Sequence, residues 1–460
     1  MKKDVSSENK DELFETMKPA RALAVMAVPT IASQLIVQVY NLADTWFIGR
    51  TNNPYMIGAS SLVLTLYLAA VALANVFGVG GGTLMAHLMG EKRMDEARRV
   101  AAHSVSAAAL AALAYSLLTL LLMDPLLRLL GATENTYAYG RQYLFAAVVL
   151  GGVPTVLSMS MPMLLRNAGY SREAGFGVGL GGILNVCLDP LFMFVLLPKG
   201  YEVLGAAVAT MLSNVVSLVY YIVVFRKVRD RTPLALPTRL EKIGSENARA
   251  FYSVGIPAAI SIFLFDLVTI VINRLTVAYG DIPLAAMGIV LKLERIPVNI
   301  GLGVCLGMVP LVAYNFAAGN TQRMNRISSL ARATILGFSC ACVLLFWVFA
   351  RPIVGAFIAD GETVTYGVRF LRGRCFALPF MMIGYHVVNF MNAVGKGKVS
   401  FQLAIIRHLV LIIPLLLLMN RLVGLDGLIW AQLVADVLNA AIACVFYMRS
   451  NKQPGQETAP

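Results

Sequence analysis

The side chains best able to do chemistry lie inside apolar stretches. Asn185-Val-Cys-Leu-Asp189-Pro190 sets an amide and a carboxylate four residues apart, on one face of a helix. Asp44 belongs to a run of Ser33, Gln34, Gln38, Asn41, Asp44 and Thr45 that covers roughly 140° of a helical wheel. Thr210, Ser213, Asn214 and Ser217 recur at helical spacing and form a third oxygen-bearing face. Two carboxylates among amide and hydroxyl oxygens make a hard ligand set that suits Na+. The same carboxylates, desolvated and near each other, would instead exchange protons. The residues leave that choice open. Pro29, upstream of Asp44, removes a backbone hydrogen bond and is a place for the helix to kink.

The second half of the chain carries a different set: Asp266, Thr269 and Asn273; Lys292, Glu294, Arg295 and Asn299; His386, Asn389 and Asn392; and Asp436. Pairing Asp266 with Lys292 or Arg295 would lower the cost of burying either; direct handling of a substrate or proton is the alternative. His386 is a candidate titrating group, whereas His87, His103 and His408 fall near stretch ends, where solvated or packing roles are expected. Met159, Met161 and Met163 read as packing or lipid contact, with an adaptable apolar pocket as the other use. No GxxxxGK[ST], HExxH, GxSxG or Cys-His nucleophile pattern occurs, so nothing points to ATP hydrolysis or to an enzyme. The six cysteines lack metal-ligand spacing with histidines and read as small packing residues.

Polar groups so placed need membrane helices to hold them. Of 460 residues, 58% are hydrophobic and 14% charged, against about 25% charged in a typical soluble protein. Too few charges remain to wet a soluble globule of this length. Twelve apolar stretches, each near the roughly 20 residues that cross a bilayer core, read as helices over 22–48, 56–88, 100–123, 137–163, 174–197, 204–225, 251–279, 284–312, 327–350, 365–391, 402–420 and 427–448. Runs such as Leu411 to Met419 do not alternate in polarity, which excludes a β-barrel. The first stretch is too long for a signal peptide and stays as a span. The expected fold class is an all-α integral membrane protein.

The net charge of +13 sorts by side of the membrane. Twelve alternating crossings place Lys2, Lys3, Lys10, Lys18, Arg21, Lys92, Arg93, Arg98, Arg99, Arg166, Arg226, Arg229, Arg239, Arg323, Arg407 and Lys452, with others, on the side of the termini. The facing loops hold Arg50, Arg128, Lys199, Arg351 and Arg421, with Arg374 among those near span ends. By the positive-inside rule both termini are cytoplasmic. The charge is a topology signal, and no nucleic-acid partner is expected.

The two halves resemble each other. Pro29 corresponds to Pro257, Gly90 to Gly319, Pro154 and Asn167 to Pro379 and Asn392, Pro190 to Pro414, and Asn214 to Asp436. Six spans is an even number, so the repeats share an orientation and relate by an axis along the membrane normal. The expected organisation is a tail over 1–21, an N-lobe over 22–225, a linker over 226–250, a C-lobe over 251–448 and a tail over 449–460, with a central cleft between the lobes.

Several of these residues form motifs that resemble the multidrug and toxic compound extrusion (MATE) family. They are Tyr40-Asn41-Leu42-Ala43-Asp44-Thr45, Leu88-Met-Gly90-Glu-Lys-Arg-Met, Asn185-x-x-x-Asp189-Pro190, Gly205-Ala-Ala-Val-Ala-Thr210 and Pro310-Leu-Val-Ala-Tyr-Asn315-Phe-Ala-Ala-Gly319. The likeness is nearest to the DinF-like bacterial branch. It implies cation-coupled antiport, the export of amphipathic and often cationic drugs or metabolites in exchange for Na+ or H+. It further implies a monomer in the plasma membrane, in contact with its lipids. By motif match, Asp44, Asn185, Asp189 and Thr210 would couple the cation, with Na+ taken at Asp44, Asn185 and Asp189 if Na+ is used. Pro29 would be the hinge of the first helix. Gln34 or Gln38 would contact substrate, with Asn41, Asp266, His386 and Asn389 as further cleft candidates. The other bacterial branch uses a carboxylate in the tenth span; here that span offers His386 and Asn389 instead. The alternative is a lipid-linked saccharide flippase of the same superfamily, which would need a more basic cavity.

Overall fold

Inside a bilayer every backbone N–H and C=O must be satisfied within the protein, so these apolar stretches become helices. A computed structural model describes residues 12–51, 53–237, 241–358 and 360–451, and among them no strand occurs. Lys2, Lys3, Lys10, Asn52, Arg239 and Lys452, and the side chains of Thr45 and Asp266, lie outside the described residues. We number the spanning helices α1 (Pro19–Gly49), α2 (Pro54–Gly90), α3 (Met94–Leu121), α4 (Glu134–Leu150 with Gly152–Asn167), α5 (Ser171–Leu196), α6 (Glu202–Val228), α7 (Ser245–Val277), α8 (Asp281–Ala317), α9 (Thr321–Gly355), α10 (Gly361–Ala393), α11 (Gly397–Val423) and α12 (Leu425–Asn451). All twelve expected spans are present.

The repeat shows in the helix breaks. α4 bends by 51° between Leu150 and Gly152. Pro154 has no N–H to give to the Leu150 carbonyl, four residues back, so the helical ladder fails there. In α10 the matching residue, Pro379, leaves Cys375 without its donor, and a 3-10 turn over Cys375–Ala377 replaces the helix. α1, by contrast, runs as one helix through Pro29. The Pro29 carbonyl packs against Gly175 of α5, where a Cβ would come within 2.7 Å.

The lobes meet through the matched pairs α1 with α8 and α7 with α2. A Cβ on Gly307 or Gly303 would stand 2.7 Å from the Cα of Ala27 or Ile31. On Gly255 it would stand 2.2 Å from the Val76 carbonyl oxygen. Small residues thus bring the backbones together, and these contacts lie toward the end of the bundle that carries both termini. Gly255→Val is expected to destabilise this seam by about 1–3 kcal/mol through overpacking. A lower melting temperature of the purified protein is the readout; unchanged melting would mean the seam is loose.

Three basic residues sorted with the loops are buried inside the lobes. Arg166 is 7% exposed and donates to the Ser33 hydroxyl at 3.1 Å. Arg374 and Arg407 are 2% and 5% exposed and pair with acids on other spans. They therefore say nothing about orientation. Their partners come from distant sequence, which is why position near a span end misassigned them.

Candidate functional site

The N-lobe site starts from glycine spacing on α5. A Cβ on Gly182 would meet Ile36 at 2.8 Å and Tyr40 at 3.1 Å, so α1 lies directly on that face. Asn185 and Asp189 continue the helix beyond it, and Asp44 continues α1 beyond Tyr40. The two carboxylates are brought near enough for their charges to interact with each other and with Tyr143.

Asp189 is fully buried. Its Oδ1 accepts from Asn185 Nδ2 at 3.3 Å, and the same amide donates to Thr210 Oγ1 of α6 at 3.2 Å. Asp189 Oδ2 and Asp44 Oδ1 are buried without a hydrogen-bond partner. One turn along α6, Asn214 donates to Thr155 at 2.9 Å and accepts from Ser158 at 3.3 Å, both on α4. The Tyr67 side chain lies close to Asn214 and Thr155. Among the described residues no Lys or Arg pairs with either carboxylate. An unpaired carboxylate at this depth is expensive to keep charged.

Two C-lobe acids, Glu294 and Asp436, differ in having arginine partners. Glu294 takes two bonds of 2.9 Å from Arg374. Asp436 takes 2.8 Å from Arg407, whose other nitrogen reaches Tyr385 and His408 at 3.2 Å. The expected partnership of Lys292 or Arg295 with Asp266 lies outside the described residues; Lys292 is exposed, and Arg295 lies over the Phe265 ring at 5.6 Å. Carrying the Pro29–Pro257 and Pro190–Pro414 correspondences along the helices places Ile272 opposite Asp44 and Ile413 opposite Asp189. Among the described residues, the membrane-depth acids without a basic partner thus lie in the first repeat.

The other expected cleft residues separate. Gln38 accepts from Asn299 of α8 at 3.1 Å and so bridges the lobes. Gln34 is half-buried and Asn41 exposed. His386 does not face the other lobe. It is fully buried and contacts Ser328 of α9 at 3.1 Å, with Tyr447 of α12 and Phe390 beside it. Asn389 donates to its own helix, at the Tyr385 carbonyl. Tyr40, Tyr67, Tyr143 and Thr155 were not foreseen. Only Tyr40, four residues before Asp44, carried a signal.

The MatE family model matches this chain twice, over residues 29–191 and 257–418, once in each repeat and starting at each of the matched prolines. The chain belongs to the MatE family. The family is one of transporters, and a multi-span membrane protein is what its members are. "Multidrug export protein MepA" of Staphylococcus aureus (strain MSSA476) is 30% identical over 440 residues, covering 95% of each chain. Among solved structures, a MATE crystal structure in complex with MaL6 superposes with a TM-score of 0.90 at 21% identity, covering 96% of this chain and 98% of that one. A MOP superfamily transporter from Pyrococcus furiosus, described as having a binding pocket of reverse polarity that suggests a different function, superposes with a TM-score of 0.89 at 20% identity, covering 97% and 99%. At these identities the solved structures speak for the shared fold. The MatE match settles the fold class and leaves the transported molecule to the site itself.

Proposed function

We propose that the chain is a secondary active efflux transporter of the plasma membrane. It exports amphipathic, often cationic small molecules in exchange for Na+ or H+, by alternating access. Both termini are cytoplasmic, and the protein works as a monomer. One observation carries the reading: among the described residues the carboxylates at membrane depth, Asp44 and Asp189, have a buried unpartnered oxygen each and no basic partner, while Glu294 and Asp436 in the other lobe are paired with arginines, although Asp436 also keeps one oxygen unpartnered. The unmatched pair is where an entering Na+ or proton supplies the missing charge. Asn185 and Thr210 orient Asp189 and add oxygen ligands, as the hard-oxygen chemistry of Na+ requires.

The coupling follows from position. α1 is packed against α5 of its own lobe through Pro29 and Tyr40 and against α8 of the other through Ala27, Ile31 and Gln38. A charge neutralised at Asp44 therefore acts on a helix packed against both lobes. Cation binding and drug binding become mutually exclusive, with Pro29 as the place where α1 yields. The printed name of the staphylococcal relative, a multidrug export protein, supports the same substrate class. The saccharide-lipid reading asks for cations free to hold a diphosphate, and Arg374 and Arg407 are already engaged.

The test is efflux of a cationic dye from cells that express the protein, with the Na+ and H+ gradients collapsed in turn by ionophores. Export that stops with one of the two gradients supports the proposal; export indifferent to both overturns it.

A further inference from the structure

The contacts between α1 and α8 form a ladder that ends outside the helix. Its rungs are Gln38 with Asn299, Ile31 with Gly303, and Ala27 with Gly307. Two turns further along α8 stands Tyr314, and what meets it is the segment before α1. Glu12–Thr16 forms a single short helical turn. Leu13 and Phe14 are 3% and 2% exposed, although they follow a charged tail.

The turn is held from both lobes. From the C-lobe, the Phe14 ring stacks on Tyr314 with centroids 4.8 Å apart. Arg323 donates to the Phe14 carbonyl at 2.8 Å and the Leu13 carbonyl at 3.1 Å, and Asn315 donates to the Phe14 carbonyl at 3.1 Å. Tyr314 donates to the Glu15 carboxylate at 2.6 Å. From the N-lobe, Lys92 in the α2–α3 turn forms an ion pair with Glu15 and donates to the Tyr314 hydroxyl at 2.8 Å. Gly169 in the α4–α5 turn has φ +85°, and a Cβ there would stand 3.1 Å from the Phe14 ring. Hydrogen bonds from Lys92 and Tyr314 hold the Glu15 carboxyl below its ordinary range, so it stays charged.

We infer that Lys92, Gly169, Tyr314, Asn315 and Arg323 form a docking surface shared by the two lobes, that its occupant is the chain's own Leu13-Phe14-Glu15, and that this occupant is a latch which must leave before the cytoplasmic end opens. The inference rests on the alternating-access reading above. The Gly303 and Gly307 rungs are close backbone contacts between apolar residues and part without breaking a side-chain hydrogen bond. The last rung holds backbone carbonyls, a carboxylate and two buried apolar side chains, so it resists separation most. It is also tied to α1 by Met17 and Lys18 alone, so any release of the turn is felt at the start of the helix that carries Asp44.

The experiment places a reporter in the seam. Ile31→Cys is labelled in inside-out vesicles with a membrane-impermeant maleimide, with the parental chain as the background for its own cysteines. With the latch intact, labelling is slow. Adding Phe14→Ala, or Arg323→Gln, is expected to speed it at least about fivefold, the scale of an ordinary coupling between two states. Equal rates in both variants, at unchanged melting temperature, would overturn the latch. A second measurement joins Glu15→Cys to Tyr314→Cys with a short bismaleimide. Transport should then stop while external dye still binds; undiminished transport by the joined protein would overturn the proposal. Absence of flux from the parental protein would count against the transport reading and would leave the labelling result standing.

Discussion

Asp189→Asn is expected to lower gradient-driven efflux at least about tenfold, the kinetic equivalent of roughly 1.4 kcal/mol, without loss of folded protein. The substitution keeps the shape and an oxygen for Asn185 to donate to, but it removes the group that a proton or Na+ would bind. Because the carboxylate is fully buried with Oδ2 unpartnered, its removal takes away a buried charge and leaves no new one. The melting temperature should hold or rise while transport falls. Asp44→Asn should behave alike, since its Oδ1 is likewise buried and unpartnered. Dye efflux from cells, normalised to protein in the membrane, reads both. Undiminished gradient-driven export in both variants would end the proposal that these carboxylates couple the ion.

Glu294→Leu is expected to do the reverse, damaging the fold before the transport step. Arg374 is 2% exposed and gives two short bonds to the Glu294 carboxylate. Leucine fills a similar volume but strands a guanidinium that stays charged. Removing one partner of a buried pair costs about 3–5 kcal/mol, so melting should fall sharply. Adding Arg374→Met replaces the pair by apolar side chains and should restore most of the loss. A double variant no more stable than the single one would show that the pair does more than balance its own charge. Arg407 and Asp436 form a second such pair and should answer the same way.

Much of this architecture is legible in the sequence because a bilayer leaves a chain so few choices. Span length and number follow from hydropathy. The i, i+4 spacing of Asn185 and Asp189 is enough by itself to put both on one helical face. The matched prolines carry the repeat, and the breaks at Leu150 and Cys375 follow from the N–H that Pro154 and Pro379 lack. What stayed hidden depends on contacts between distant segments. Arg166, Arg374 and Arg407 sit near span ends, where a basic residue normally reports topology, and only their partners Ser33, Glu294 and Asp436 reveal them as buried. His386 shows no sign in sequence of whether it faces the cleft or Ser328. Tyr67 and Tyr143 look like any tyrosine in an apolar helix. Leu13 and Phe14 form an apolar pair too short to stand out from the charges around it.

The two repeats thus share a frame and differ in chemistry. Among the described residues, the first keeps Asp44 and Asp189 without a basic partner, on helices packed at or beside the lobe seam, and the second pairs Glu294 and Asp436 with arginines. On the function proposed above, that division would place coupling in a single lobe of a duplicated fold.

Flux in proteoliposomes tests the central claim most directly. The purified protein is sealed with a cationic dye inside, and a Na+ or H+ gradient directed inward is imposed across an otherwise drug-free membrane. The account predicts dye exit that accelerates with one of the two gradients, accompanied by entry of that ion, and the loss of both flows in Asp189→Asn. Dye exit at the same rate with no gradient, or ion-driven exit that persists in Asp189→Asn, would contradict it.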